Sequence, residues 1–264
     1  MNDTFNLVRF GLLFKKTLVE RAVQIGGAFL LTMLITWIAY SAQIQLGIKW
    51  INFQREALSM GLTLGGGYLG GIIFSNFSEN AQGYNYLTLP TSSFEKWLNG
   101  LTIMTLFTVL FLVFFRILDT IYVTNYHNSL ATIEPRLYDQ FYKNASVLPF
   151  DSHSLIFIYK IYFILTSFMA LVSLYFNKNA VVKGTLLFFC LFITSWFGNG
   201  IIAKLILGSD FTKASYFYSA SKLDYDSFVI MPENWLQIIN PFFLIGLPAI
   251  LWLVALIRLR EKEF

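Results

Sequence analysis

The sequence predicts an all-α membrane protein: six transmembrane helices, an N-terminal amphipathic interfacial helix, and a short helix on the loop between the second and third spans. Three observations carry this. The 264 residues are 56% hydrophobic and only 13% charged, about half the charge of an ordinary soluble domain, and mean hydropathy is +0.60. The apolar residues are gathered into blocks of roughly twenty, the length a helix needs at ~1.5 Å per residue to cross ~30 Å of hydrocarbon. Helices are also the elements that satisfy their backbone groups within such single segments. The one cysteine, Cys190, leaves no basis for a disulfide framework or a cysteine metal site.

In chain order, residues 1–24 come first. Phe5, Leu7, Val8, Leu12, Phe14 and Leu18 alternate with Arg9, Lys15, Lys16, Glu20 and Arg21. This reads as an interfacial helix with its basic residues toward lipid headgroups. A positive cluster that merely sets orientation is the plainer alternative, and both can hold. The segment lacks the short apolar core and small-residue cleavage site of a secretory leader. Six spans follow, over Ile25–Ile44, Leu58–Phe77, Leu101–Tyr122, Ser154–Phe176, Thr185–Leu207 and Leu236–Ile257. The organisation is a single transmembrane domain over 1–264, with 1–24 at the interface, 25–257 as the bundle and 258–264 as a tail.

Basic residues set the orientation. With the N-terminus inside, ten lie on the inner side (Arg9, Lys15, Lys16, Arg21, Lys96, Lys178, Lys183, Arg258, Arg260, Lys262) and six outside (Lys49, Arg55, Arg136, Lys143, Lys213, Lys222). The positive-inside rule therefore puts both termini in the cytoplasm. Two outer segments are long, Val123–His153 and Gly208–Trp235. The first carries Tyr138, Phe141 and Tyr142, the second Phe211, Tyr216, Phe217, Tyr218 and Tyr225. Aromatic residues at that density favour the membrane interface, although two ordinary aromatic-rich loops are an equal reading.

The inner loop Ser78–Asn99 is the most informative stretch. Pro90 holds Leu89 extended. Ser92 and Glu95 stand at capping-box spacing. Phe94, Trp97 and Leu98 share a face at i, i+3 and i+4. The result is a short amphipathic helix at the membrane surface. Residues Leu89-Pro90-Thr91-Ser92-Ser93-Phe94-Glu95-Lys96-Trp97-Leu98 resemble the cytoplasmic loop of ABC-2 type transporter permease subunits, of the form L-P-x-[ST]-x-x-E-[KR]. The match covers about ten residues. It departs from the family where Ser92 and Ser93 replace a basic residue that often precedes the aromatic or the acid.

That resemblance implies the integral membrane permease subunit of an ABC exporter, with the loop acting as a coupling helix on a separate ATPase subunit. The docking residues it implies are Leu89, Pro90, Ser92, Phe94, Glu95, Lys96 and Trp97. Pro90 shapes the turn, Phe94 and Trp97 anchor it, and Glu95 offers its charge to a basic patch. It also implies that residues 1–24 touch the ATPase, that the segment before the last span folds into short helices in the outer leaflet, and that the permease is a homodimer or is paired with a second permease. ATP and Mg would sit on the ATPase. No Gly-x-x-x-x-Gly-Lys-[Ser/Thr] phosphate cradle occurs in this chain, so no ATP hydrolysis and no cofactor are expected of it.

Other constellations are weaker. Gly61, Gly65, Gly66, Gly67, Gly70 and Gly71 crowd the second span. Gly65-x-Gly67-x-x-Gly70 formally matches a dinucleotide fingerprint, but no strand precedes it. The four-residue spacings of Gly61/Gly65, Gly66/Gly70 and Gly67/Gly71 suit close helix packing. Arg116 and Asp119 share a face of the third span, and Lys160 and Lys204 lie toward the same leaflet. These four are either a polar patch of a pathway or gate, or a structural ion pair plus two snorkelling lysines. Gly184, Gly198 and Gly200 in the fifth span, and Pro241 and Pro248 in the sixth, allow kinks or accommodate packing; Asn240-Pro241 is expected to bend the last span. His127 and His153 make no metal case, and no nucleophilic-serine motif is present. Two further classes stay open: a non-transporting membrane partner, such as an assembly or immunity factor, and, more weakly, a membrane enzyme. The expected location is the cell membrane, multi-pass, with no nucleic-acid partner.

Overall fold

A computed structural model describes residues 5–45, 50–75, 89–133, 146–176, 178–207, 211–214, 219–222, 228–230 and 238–262. Their order is α1 (Leu7–Glu20), α2 (Ala22–Gln45), α3 (Trp50–Ile73), α4 (Ser93–Ile133), α5 (His153–Tyr175), α6 (Ala180–Leu207), strands β1 (Phe211–Ala214), β2 (Ser219–Lys222) and β3 (Phe228–Ile230), and a last helix, α7 (Leu247–Glu261), entered through a π-helical turn, Phe242–Gly246. Five helical segments are long and apolar enough to cross a membrane: Ala22–Ser41, Ser93–Asn128, Leu155–Tyr175, Ala180–Ile202 and Ile238–Glu261. The chain is a multi-pass membrane protein by that measure.

Helix α3 is as long as α2, at 24 residues, but is not among the five. Its glycines and the Gln54-Arg55-Glu56 triplet dilute its hydropathy. It is also the most enclosed helix, packed most extensively on α5 and α2 and also against α4 and α6. Phe53, Leu58, Leu62 and Leu69 are buried along it. A helix with most of its circumference against other helices needs little lipid-compatible surface of its own, and Met60, Leu64 and Tyr68 form the apolar stripe that stays exposed.

Its glycines lie where neighbours come closest. A Cβ on Gly61 would meet the Phe111 ring of α4 and Thr36 of α2, and one on Gly66 would meet Tyr162 of α5. A Cβ on Gly70 would lie 2.8 Å from the backbone oxygen of Thr166, which cannot rotate away. At Gly67 the neighbour is the movable side chain of Leu165, at 3.2 Å. Small residues let helix backbones approach in this way.

Several expectations change. The separate surface helix over Ser93–Leu98 does not form: Ser93 opens α4, which continues unbroken for 41 residues to Ile133. That is about 60 Å of helix, twice a hydrocarbon core. The Asn99-Gly100 pair, a common helix stop, is overridden by packing: Asn99 is buried and donates to Thr17 Oγ1, and Gly100 is buried against the Phe74 ring. The span boundary expected at Leu101 therefore has no structural counterpart. Before the last helix, the described residues form an antiparallel sheet in the order β1-β2-β3, with an irregularity between Phe211 and Lys213, instead of the short helices implied by the resemblance. Helix α6 passes straight through Gly198 and Gly200, beside which there is open space. Pro241 does change the helix: it lacks an N–H, and the following turn takes π geometry. Residues 76–88, Tyr138, Phe141, Tyr142, Tyr216, Phe217, Tyr218 and Tyr225 lie outside the described residues.

The α3 packing makes a graded prediction. Gly70→Ala is expected to lower the melting temperature of the detergent-purified protein by several degrees, because backbone must move. Gly67→Ala, where only a side chain must move, is expected to shift it by no more than about a third as much.

Candidate functional site

The described residues bring α1, the end of α3, the start of α4 and part of α7 together at one end of the bundle. Asn6 caps α1: its side-chain oxygen accepts from the backbone N–H of Val8 at 2.9 Å and of Arg9 at 3.3 Å. Ser92 caps α4: its hydroxyl accepts from Glu95 N–H at 3.2 Å, and Glu95 Oε2 accepts from Ser92 N–H at 3.0 Å. This is the reciprocal geometry of a capping box.

The other carboxylate oxygen of Glu95 joins the two caps. Oε1 accepts from the backbone N–H of Asn6 at 2.8 Å and from Arg9 Nη2 at 3.0 Å. The Glu95 side chain is 0% exposed and that of Arg9 30%. Glu95 thus sits at two helix N-termini, whose aligned dipoles both favour a negative charge. Charge-assisted bonds of this kind are worth about 1.5–3 kcal/mol each in stability.

The contact continues as a ladder. Arg9, Leu13, Thr17 and Arg21 recur every fourth residue and so line one face of α1. Leu13 and Thr17 are buried. Thr17 Oγ1 donates to Leu13 O at 2.8 Å and accepts from Asn99 Nδ2 at 3.0 Å. Asn99 lies one turn beyond Glu95 on α4. Arg21 Nη1 donates to the carbonyls of Ile72 and Ile73, at 2.6 and 3.2 Å. These belong to the last turn of α3, where carbonyls lack helical partners and the dipole favours a cation. The opposite side of α1 exposes Leu7, Val8, Leu12 and Val19.

These contacts correct part of the sequence reading. Glu95 is turned inward and its oxygens are engaged by this chain, so it does not present a charge to a partner. Lys96 is buried as well. Trp97 faces α7: its Nε1 donates to Trp252 O at 2.8 Å, and the two indoles meet edge to face at 6.2 Å. Arg9 and Arg21 point at protein groups, not headgroups. Of the residues singled out around Pro90, Pro90 itself and Phe94 are exposed, while Leu89 and Ser92 are half-buried. Phe94 is 37% exposed and Phe5 43%; their rings meet edge to face at 6.3 Å. Asn6, Thr17 and Asn99 were missed by the sequence reading. The four-residue spacing of Arg9, Leu13, Thr17 and Arg21 against that of Glu95 and Asn99 was the available signal.

At the other end of the bundle, Arg116 and Asp119 form no ion pair with each other among the described contacts. They clamp one residue instead. Asp119 Oδ2 accepts from Leu148 N–H at 2.7 Å, and Arg116 Nη1 donates to Leu148 O at 2.8 Å. Asp119 Oδ1 also accepts from the Tyr40 hydroxyl and from Gln54 Nε2, so α2, α3, α4 and the segment before α5 meet at this carboxylate. Lys160 is buried and does not snorkel: its Nζ donates to Asn240 Oδ1 at 2.5 Å. Lys204 is exposed on α6, apart from the other three. Among the described residues no group of three His, Cys, Asp or Glu side chains is placed to hold a metal.

Comparison of the chain with models of protein families, with characterised proteins and with solved structures finds no match.

The Glu95 latch predicts a measurable release of α1. Glu95→Ala is expected to destabilise the α1–α4 contact by about 2 kcal/mol. Limited trypsin digestion at Lys15 and Lys16 should then be at least tenfold faster than in the parent, while digestion elsewhere is unchanged.

Proposed function

We propose that this chain is the membrane-spanning permease subunit of an ABC-2 type exporter, driven by a separate ATPase subunit that supplies ATP and Mg. The observation that carries the reading is the latched end of the bundle. An amphipathic N-terminal helix and the residues after Leu89-Pro90 form one unit there, with Phe5, Pro90 and Phe94 exposed on it. A rigid unit of this kind is what a motor needs: force applied to the Phe5–Phe94 surface passes through Glu95 into α4, through Arg21 into α3 and through Trp97 into α7. The docking surface is apolar, and Glu95 acts behind it as the linkage.

In this reading α3 is the sixth span. Its shielding by α2, α4, α5 and α6 accounts for its low hydropathy, since a helix facing helices gains nothing from a continuous apolar surface. Six spans place both termini on one side, and the basic residues favour the cytoplasm. The cell membrane is the location, and a second permease, identical or related, completes the pathway.

Two measurements test this. Phe94→Lys is expected to reduce retention of a co-expressed ATPase at least tenfold on co-purification, with the permease still inserted and monodisperse; undiminished retention counts against docking here. With Cys190→Ser removing the native thiol, Pro90→Cys should react with a membrane-impermeant maleimide only after cells are opened. Reaction in intact cells would place the latch outside and end the proposal.

A further inference from the structure

A groove of about 930 Å³ runs between α2 and α6, with α3 and α5 as its floor. Its volume lies within the ~300–1,000 Å³ range of small-molecule sites. It follows α2 from Val23 to Ile35 and α6 from Val181 to Phe192, about 17 Å of helix rise. Val23 and Val181 are each the second residue of a candidate span, Ala22–Ser41 and Ala180–Ile202. The groove therefore starts at one membrane interface and rises through about one leaflet, half of a ~30 Å hydrocarbon core.

Polarity changes along its length. Thr32, Thr63 and Thr185 line it, but each hydroxyl donates to the carbonyl four residues back, Ala28, Ser59 and Val181, at 2.6–2.8 Å. Gln24 and Tyr68 also line it. Both are exposed, and neither makes a hydrogen bond among the described residues. Gln24 is the third residue of α2, and Tyr68 lies five residues before the end of α3, so both stand toward the interface end. An amide or hydroxyl left without a partner in hydrocarbon is costly, and these two offer donors and acceptors together. Farther in, the walls are apolar, with Ile35, Leu165 and Phe192. Gly27 keeps the groove open: it lines the wall, and a Cβ there would meet nothing within 4 Å.

We propose that this groove holds a phospholipid of the leaflet bordered by α1, with an acyl chain along the apolar walls and its phosphate and glycerol oxygens at Gln24 and Tyr68. Length and polarity both favour a lipid over a helix from a second copy. A transmembrane helix crosses two leaflets and is apolar through both, whereas the groove is one leaflet deep and polar at its interface end. The site requires nothing of the exporter reading and stands or falls separately from it.

The test uses the purified full chain in detergent, with two photoactivatable diazirine probes of equal chain length: a phosphatidylethanolamine and a headless alkane. The phospholipid is expected to label α2 and α6 peptides at least tenfold more strongly than the alkane does. Gly27→Trp, which fills the groove from a position without a neighbour, should lower that labelling at least tenfold and leave the melting temperature unchanged. Leu31→Trp, from an exposed position on the same wall, should do the same and decides the matter if the Gly27 variant fails to fold. Gln24→Leu combined with Tyr68→Phe should bring phospholipid labelling down to the alkane level. Leu34→Trp, exposed on α2 outside the groove, should leave it unchanged. Equal labelling by the two probes, labelling insensitive to the folded groove variants, or labelling confined to other helices overturns the proposal. So does a disulfide-linked dimer of Gly27→Cys, made with Cys190→Ser, in the absence of phospholipid labelling, since that result gives the groove to a second copy.

Discussion

One carboxylate organises the lower end of this molecule. A helix N-terminus leaves several N–H groups without intrahelical partners, and two such termini, those of α1 and α4, meet at Glu95. Its oxygens take the backbone N–H of Ser92 and of Asn6 and one N–H of Arg9. An uncompensated carboxylate buried here would cost several kcal/mol; two helix dipoles and a guanidinium supply the compensation. Because two of the donors come from α1 and its cap, 86 and 89 residues away in sequence, and the third from its own cap, the group that needs satisfying is also the one that fixes α1 on the bundle. Thr17, Asn99 and Arg21 extend the same contact toward α3.

The far end solves a related problem with different chemistry. The segment before α5 is irregular, so its backbone groups need partners. Leu148 is buried and its N–H and carbonyl go to Asp119 and Arg116, three residues apart on one face of α4. Tyr40 and Gln54 satisfy the remaining carboxylate oxygen. Polar side chains in these spans therefore hold backbone and neighbouring helices in place. Between the two ends, α3 runs as a glycine-rich axis, with close approaches to α2, α4, α5 and α6.

The sequence made the helical membrane class legible, because blocks of apolar residues have few other uses. It also exposed the Ser92–Glu95 capping box, since that spacing has a local cause. The tertiary partners were hidden. Nothing local to Phe94-Glu95-Lys96 says that Glu95 faces Asn6 and Arg9; a capping acid is usually solvated, and a docking role for its charge followed from treating it so. Arg116 and Asp119 sat at ion-pair spacing, yet each found a better partner in the backbone of Leu148, which no local pattern places beside them. The length of α4 was missed because span prediction stops at bilayer thickness, whereas a helix stops at a cap or a proline. The sheet before α7 was missed because its strands, Phe211–Ala214, Ser219–Lys222 and Phe228–Ile230, are three or four residues long, too short for an alternating pattern to stand out.

The central claim is that Arg9 and Glu95 act as one unit joining α1 to α4. A double-mutant cycle with Arg9→Ala, Glu95→Ala and the double variant, read by equilibrium unfolding in detergent, measures it directly. The account predicts a coupling energy of at least about 1 kcal/mol, within the range found for hydrogen-bonded charged neighbours. Effects that add to within ~0.3 kcal/mol, the behaviour of independent sites, would contradict it.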